Sequence, residues 1–169
     1  MIVYKELQIK PLVDCQDQLS AVAEWYLASF SMKDTTLEIC KEKLLERLNT
    51  GILDICYVAF CENRAVGTVS LTKNDIPGVP TLTPCIANLF VAPEYRHKNI
   101  GRELMGYAKA ILKTMNFPKA YLYTTDKTIH EWYQTLGWKI IGGKEVYNLP
   151  IKIMERELWD IVSPIAPFY

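Results

Sequence analysis

The sequence is 169 residues long and half hydrophobic, with 19 Lys plus Arg against 19 Asp plus Glu. That balance argues against an overall field drawing the chain to nucleic acid or an anionic membrane, and no apolar run approaches the roughly 20 residues that span a bilayer. Five cysteines without a C-x-x-C pair, beside two histidines, argue against both a disulfide framework and a zinc site.

The cysteines read as reduced thiols in a cytoplasmic chain with no secretory leader; Cys56, Cys61 and Cys85 fall in apolar runs as small buried hydrophobes. Length suits a single domain over residues 1–169, with 159–169 as a C-terminal tail. Residues 4–9 alternate as a first strand, ended by Pro11. Leu19, Val22, Ala23, Tyr26, Leu27 and Phe30 recur at helical intervals and predict a helix over 18–30. Leu37, Cys40, Leu44, Leu45 and Leu48 predict a second helix over 36–48, stopped by Gly51. Strands over 53–61 and 65–71 join through Glu62-Asn63-Arg64 as a hairpin. Residues 73–84 hold three prolines and a glycine and form a loop into the next strand, 86–91, which Pro93 closes. Ile100, Leu104, Ala108, Ile111 and Leu112 give a long helix, 101–115. A strand over 119–124, a short helix over 129–136 closed by Gly137, and a hairpin of 139–147 with 150–157 complete the chain, the last turn being Asn148-Leu149-Pro150. The result is an α/β chain in the order β-α-α-β-β-β-α-β-α-β-β, with a mixed sheet.

The most informative stretch runs from Leu89 through Arg96-His97-Lys98-Asn99-Ile100-Gly101-Arg102 into the long helix. Unpaired N–H groups at a helix start, the helix dipole and four basic side chains make such a turn an anion site; the alternative is a connection whose cations sit in water. Arg96-x-x-Asn99-x-Gly101, preceded by Val91-Ala92-Pro93-Glu94-Tyr95, resembles the acetyl-coenzyme A loop of the GNAT N-acetyltransferases. That loop usually reads Arg or Gln, two residues, Gly, one residue, Gly or Ala. Asn99 stands where the first glycine is usual and His97 where another is frequent; Asn is the non-glycine residue that best tolerates positive φ. Tyr133-Gln134-Thr135-Leu136-Gly137-Trp138 resembles a second family signature, and Asp126, seven residues before Tyr133, stands where many members carry Asn.

The resemblance implies a GNAT fold: a mixed, mostly antiparallel sheet flanked by four helices. It implies acetyl-coenzyme A as cosubstrate, with backbone groups of Leu89, Phe90 and Val91 on the thioester and pantetheine. Arg96, His97, Lys98, Asn99, Ile100, Gly101 and Arg102 then hold the pyrophosphate, and Asp126 contacts the coenzyme or caps the following helix. Tyr133 becomes the acid for the departing thiolate. No metal is implied. The strand before the turn lacks a carboxylate, so the base is open among Asp75, Asp126, Glu94 and a water held by Asn88. The expected acceptor is an amine on a small molecule or peptide, entering between the first two helices, the 73–84 loop and the last hairpin, with Trp25, Tyr26, Phe30, Trp132 and Tyr147 as candidate lining. Neither nucleic acid nor membrane is an expected partner, and a homodimer is a base-rate expectation. The alternatives are transfer of a longer acyl group and a non-catalytic coenzyme A-binding module.

Overall fold

The computed structural model of the chain describes residues 7–30, 34–48, 51 and 53–159. Its strands are β1 (Leu7–Pro11), β2 (Ile55–Cys61), β3 (Arg64–Thr72), β4 (Cys85–Val91), β5 (Lys119–Thr124), β6 (Lys139–Val146) and β7 (Leu149–Glu157). The helices are α1 (Leu19–Phe30), α2 (Leu37–Leu45), α3 (Ile100–Thr114) and α4 (Lys127–Thr135). Tyr4 to Glu6 of the expected first strand and residues 160–169 of the tail lie outside the described residues.

One seven-stranded sheet runs in the order β1-β2-β3-β4-β5-β7-β6. Every neighbouring pair is antiparallel except β4 with β5, which is parallel and meets at the single register position Cys85 opposite Tyr121. Beyond that position the two strands part, leaving the β5-facing edge of β4 without a strand partner. Alternation along β2 sends Tyr57, Ala59 and Cys61 to a core under α3 and α4, and Cys56, Val58 and Phe60 to a second core under α1 and α2. The sheet thus separates two chemically distinct faces.

Local sequence accounts for most boundaries. Thr36 caps α2, its Oγ1 accepting from Ile39 N at 3.3 Å, and the helix ends in a 3-10 turn at Glu46–Leu48. The helix expected at 129–136 begins earlier, at Lys127, because Asp126 supplies its cap. Both hairpin turns are tighter than expected. Cys61 pairs with Arg64 and Val146 with Leu149, so Glu62-Asn63 and Tyr147-Asn148 form two-residue turns, all four residues at positive φ. Such turns match the strand twist. Pro150 therefore belongs to β7, opposite Glu145, rather than to the turn. All five cysteines are buried and free.

Candidate active site

The site grows from an irregularity in β4. Thr68 faces Phe90 and Ser70 faces Ala87, so Val69 alone opposes two residues, Asn88 and Leu89, in a β-bulge. Asn88 absorbs the bend at φ 51°. Gly67 permits the close approach beside it, since a Cβ there would sit 2.6 Å from the Phe90 carbonyl oxygen. The unpartnered β4 edge, the bulge and the start of α3 lie together at the mouth of the β4–β5 gap.

The turn into α3 takes the conformation that glycines usually take. His97 and Asn99 are left-handed at φ 60° and 64°, and Asn99, as N-cap, makes no side-chain capping bond. The first-turn amides are therefore not consumed by a cap. Two of the three Lys and Arg side chains at the turn do not project freely toward an anion. Arg96 Nε donates to the Val91 carbonyl at 2.9 Å and its guanidinium lies over Phe90; Lys98 Nζ donates to the Glu94 carbonyl at 2.9 Å and lies over Tyr95. Arg102 instead lines an open pocket of about 410 Å³ with Lys109 and Arg156, between α3 and the end of α4. Gly101 needs no unusual φ, and a Cβ there would meet the Trp132 ring at 3.5 Å, an ordinary contact, so alanine would also fit. Ile100 is buried beneath the turn.

Tyr133 on α4 is 8% exposed, and Trp132 and Trp138 pack against it with ring centroids 5.1 and 6.2 Å away. Its hydroxyl makes no hydrogen bond among the described residues, and burial pushes the phenol far above its ordinary range, so it stays protonated. Asp126 Oδ1 accepts from Thr128 N at 2.8 Å and Thr128 Oγ1 at 2.7 Å. Those bonds hold its carboxyl below the usual value, which makes it a poor proton acceptor.

The opposite face of the sheet carries a second polar constellation. Arg47, half-buried at the end of the turn after α2, donates through Nη1 to Asn88 Oδ1 at 2.7 Å, Ser70 Oγ at 3.1 Å and Tyr26 OH at 3.3 Å. Tyr26 OH and Ser70 Oγ are themselves 2.7 Å apart. Asp75, in the loop before β4, is half-buried; burial raises its carboxyl pKa, and the Arg47 guanidinium offsets part of that rise. Asp75, Tyr147 and Cys85 act electrostatically on Tyr123, whose phenol is pushed up to about 12, chiefly by burial. Lys144 Nζ donates to the Pro77 carbonyl at 2.9 Å, tying the last hairpin to this loop. Tyr26 and Trp25 belong to this face, Trp25 stacking on Phe90 at 5.1 Å, and Tyr147 is 70% exposed nearby. Trp132 does not: it packs with the α3–α4 core and against Gly101, which removes it from the expected acceptor lining.

Residues 53–140, more than half of the chain, match the family described as acetyltransferase (GNAT) domain. The chain belongs to the GNAT acetyltransferase family. No curated protein matches the sequence. This GNAT chain is similar in structure to a GNAT-family acetyltransferase from Streptococcus pneumoniae, at 18% identity over 90% of this chain and 99% of that one, with TM-score 0.66. It is likewise similar to an aminoglycoside 6'-N-acetyltransferase complexed with coenzyme A, at 18% identity, 90% and 97% coverage and TM-score 0.66. A spermidine/spermine N-acetyltransferase from Vibrio cholerae matches at 15% identity, 92% and 94% coverage and TM-score 0.68. These likenesses agree with the sheet order and four helices as a GNAT fold.

Of the sequence-expected residues, Leu89 to Val91 lie along β4 from the bulge onward and 96–102 form the turn into α3, with Arg102 in the pocket beside α3, whereas Tyr133 packs against Trp132 and Trp138. Arg47 and Ser70 escape sequence reading, and Tyr26 was expected only as acceptor lining and not as their partner, because only the folded sheet brings positions 26, 47 and 70 to Asn88. The available signal was polar: Thr68, Ser70 and Thr72 put three buried hydroxyls along one face of β3, a placement that calls for partners. Among the described residues no group of three or more His, Cys, Asp or Glu could hold a metal, and no helix is long and apolar enough to cross a membrane.

Proposed function

We propose that this GNAT acetyltransferase moves the acetyl group of acetyl-coenzyme A to a primary amine by direct attack. The observation that carries the reading is the uncapped, left-handed His97–Asn99 entry to α3 beside the unpartnered edge of β4. A helix start of this kind offers amides to a pyrophosphate, and a free strand edge offers alternating N–H and C=O groups to an extended amide chain such as pantetheine. The residues present therefore fit the cosubstrate: Leu89, Phe90 and Val91 along the pantetheine, 96–102 around the phosphates, Asp126 at the flank.

Acetyl-coenzyme A supplies an activated thioester carbonyl. A backbone N–H freed by the Asn88–Leu89 bulge can hold the oxyanion that develops there. An amine of ordinary pKa is protonated at neutral pH and must lose a proton before it can attack. Of the nearby carboxylates, Asp75 is suited to accept that proton, because its pKa is raised, whereas that of Asp126 is lowered. The ammonium first passes one proton to Asp75, directly or through water; the neutral nitrogen then bonds to the carbonyl carbon, the C–S bond breaks, and the second proton leaves the nitrogen through water to the thiolate. Tyr133, held protonated by burial, donates a hydrogen bond to the departing sulfur.

The test is thermal unfolding with acetyl-coenzyme A, coenzyme A, succinyl-coenzyme A and ATP, followed by thiol release against amines. Ligand at about 100 times its dissociation constant adds roughly 2.7 kcal/mol of stability. Stabilisation by acetyl-coenzyme A but not ATP, with amine-dependent thiol release, is expected. Tyr133→Phe should cut turnover by about a hundredfold while leaving cosubstrate affinity in place. Equal stabilisation by ATP, or no shift with any coenzyme A species, would sink the reading; succinyl transfer outpacing acetyl would replace it with a longer acyl donor.

A further inference from the structure

The Arg47 guanidinium has five N–H donors, and its hydrogen bonds to the described residues all leave from Nη1, to three neutral oxygens on α1, β3 and the β4 bulge. Nε and Nη2 donate to no described residue, and among the described residues no carboxylate lies within 4.0 Å of the group. The remaining edge is the flat two-donor fork that matches a carboxylate. A half-buried cation fixed by neutral partners has no counter-charge among the described residues, and such a charge is costly to leave alone. Asp75 is near enough to feel the guanidinium but is not paired with it, so one positive and one negative group stand apart on the same face of the sheet. Asn88, which holds Arg47, is itself the bulge residue next to Leu89, where the acyl group arrives in the function proposed above.

We propose that the acceptor is a zwitterion of amino-acid type: Arg47 receives its carboxylate, and its amine lies toward Asp75 and the β4 bulge. The inference rests on the acetyltransferase reading and selects among its acceptors. A polyamine or aminoglycoside brings further cations to a site already positive at Arg47. A peptide N-terminus has its nearest main-chain carboxyl tied up as an amide. A free amino acid supplies both charges a few atoms apart, and the reaction converts its amine to a neutral amide while the carboxylate stays on Arg47.

The test uses the full chain. Acetyl-coenzyme A binding is first read by thermal shift, and failure there rejects the acetyltransferase reading itself. Thiol release is then compared for free amino acids, the same amino acids as C-terminal carboxamides, a polyamine and an aminoglycoside. At least one amino acid should exceed its carboxamide in kcat/KM by about tenfold or more, and exceed the polycations. Arg47→Met should collapse that acid-to-amide ratio toward one, mainly through KM, and Arg47→Lys should restore part of it, since charge returns without the fork. Retained stabilisation by acetyl-coenzyme A shows that both variants still fold. With acetyl-coenzyme A bound, release that does not distinguish acids from amides, release with polycations alone, or no release with any amino acid overturns the proposal. So does an Arg47→Met variant whose acid-to-amide ratio is unchanged.

Discussion

Two regions of this molecule are suited to negative charge, and they are built by opposite means. The turn into α3 is contiguous and exposed, and it relies on backbone: two left-handed residues and an uncapped helix start, with Arg96 and Lys98 spent on their own carbonyls. The Arg47 constellation is half-buried and relies on side chains drawn from four separate elements. Formal charge is densest at the first, yet exposed cations there are screened by water and salt, while a lone guanidinium beside buried Tyr26 and Ser70 acts through a less polarisable surrounding. A cluster of basic letters thus does not by itself locate the stronger field.

The sharpest way to separate the two regions is Asp75→Asn. It should lower kcat/KM by about a hundredfold or more while acetyl-coenzyme A affinity holds, since in the proposed reaction only the acceptor side loses a proton acceptor. Stability moves the other way. A carboxyl whose folded pKa is raised above its ordinary 3.8 stabilises the fold fully below that pH and loses the contribution as pH rises through the raised value. At neutral pH, Asp75→Asn should therefore unfold at the same temperature as the parent or a higher one. A fall in melting temperature with activity intact would make Asp75 a structural residue instead.

Gly67→Ala should break both regions together. The new Cβ would lie 2.6 Å from the Phe90 carbonyl and 3.2 Å from Leu104, and backbone cannot swing aside as a side-chain tip can. Overpacking of this kind costs about 1–3 kcal/mol, read as a lower denaturation midpoint. Because Phe90 carries both the Trp25 stack and the Arg96 guanidinium, cosubstrate and acceptor constants should worsen in parallel.

What the sequence revealed follows the same division. The bounds of β5 and the α3 periodicity were legible because both are local patterns, and the turn into α3 was legible because its residues are consecutive. His97 and Asn99 at glycine positions did not prevent the turn; they took the left-handed conformation, as the tolerance of Asn for positive φ led one to expect. The β4 bulge was not legible, because register exists only between strands, although Asn88 in a strand was a hint. Arg47 was hidden for a related reason: it ends a helical segment, and its partners lie 21, 23 and 41 residues away. The last hairpin misled by one residue because Pro150 suggests a turn, whereas Tyr147 and Asn148 accept positive φ and let the strands pair immediately.

The backbone-built region can be tested alone at Asn99. Asn99→Val forces a β-branched residue into the left-handed region at a cost of about 1–2 kcal/mol, and should weaken acetyl-coenzyme A binding while the acceptor KM stays near its parent value. Asn99→Gly should cost nothing measurable in binding, since glycine reaches that φ freely. If Asn99→Val weakened the acceptor instead, the division between the two faces would be wrong.

The smallest effect is expected at Asp126, where the comparison can be refined to one oxygen. Oδ1 caps α4 through Thr128, and those bonds hold the carboxyl below 3.8. A lowered folded pKa stabilises above the ordinary value and the benefit is lost as pH falls through the folded one. Asp126→Ala should thus melt slightly earlier than the parent at neutral pH, with the gap closing in acid. Asp126→Asn keeps an oxygen for Thr128 N and removes the charge, so most of the melting temperature should return and its pH dependence should not. Tyr133 lies in the far half of the same helix, packed against Trp138, so cap loss alone should hardly move turnover. If Asp126→Ala weakens acetyl-coenzyme A binding and Asp126→Asn restores it, the side chain touches the cosubstrate as well as the cap; if only melting changes, the residue serves the helix and the phosphate grip belongs to the α3 turn.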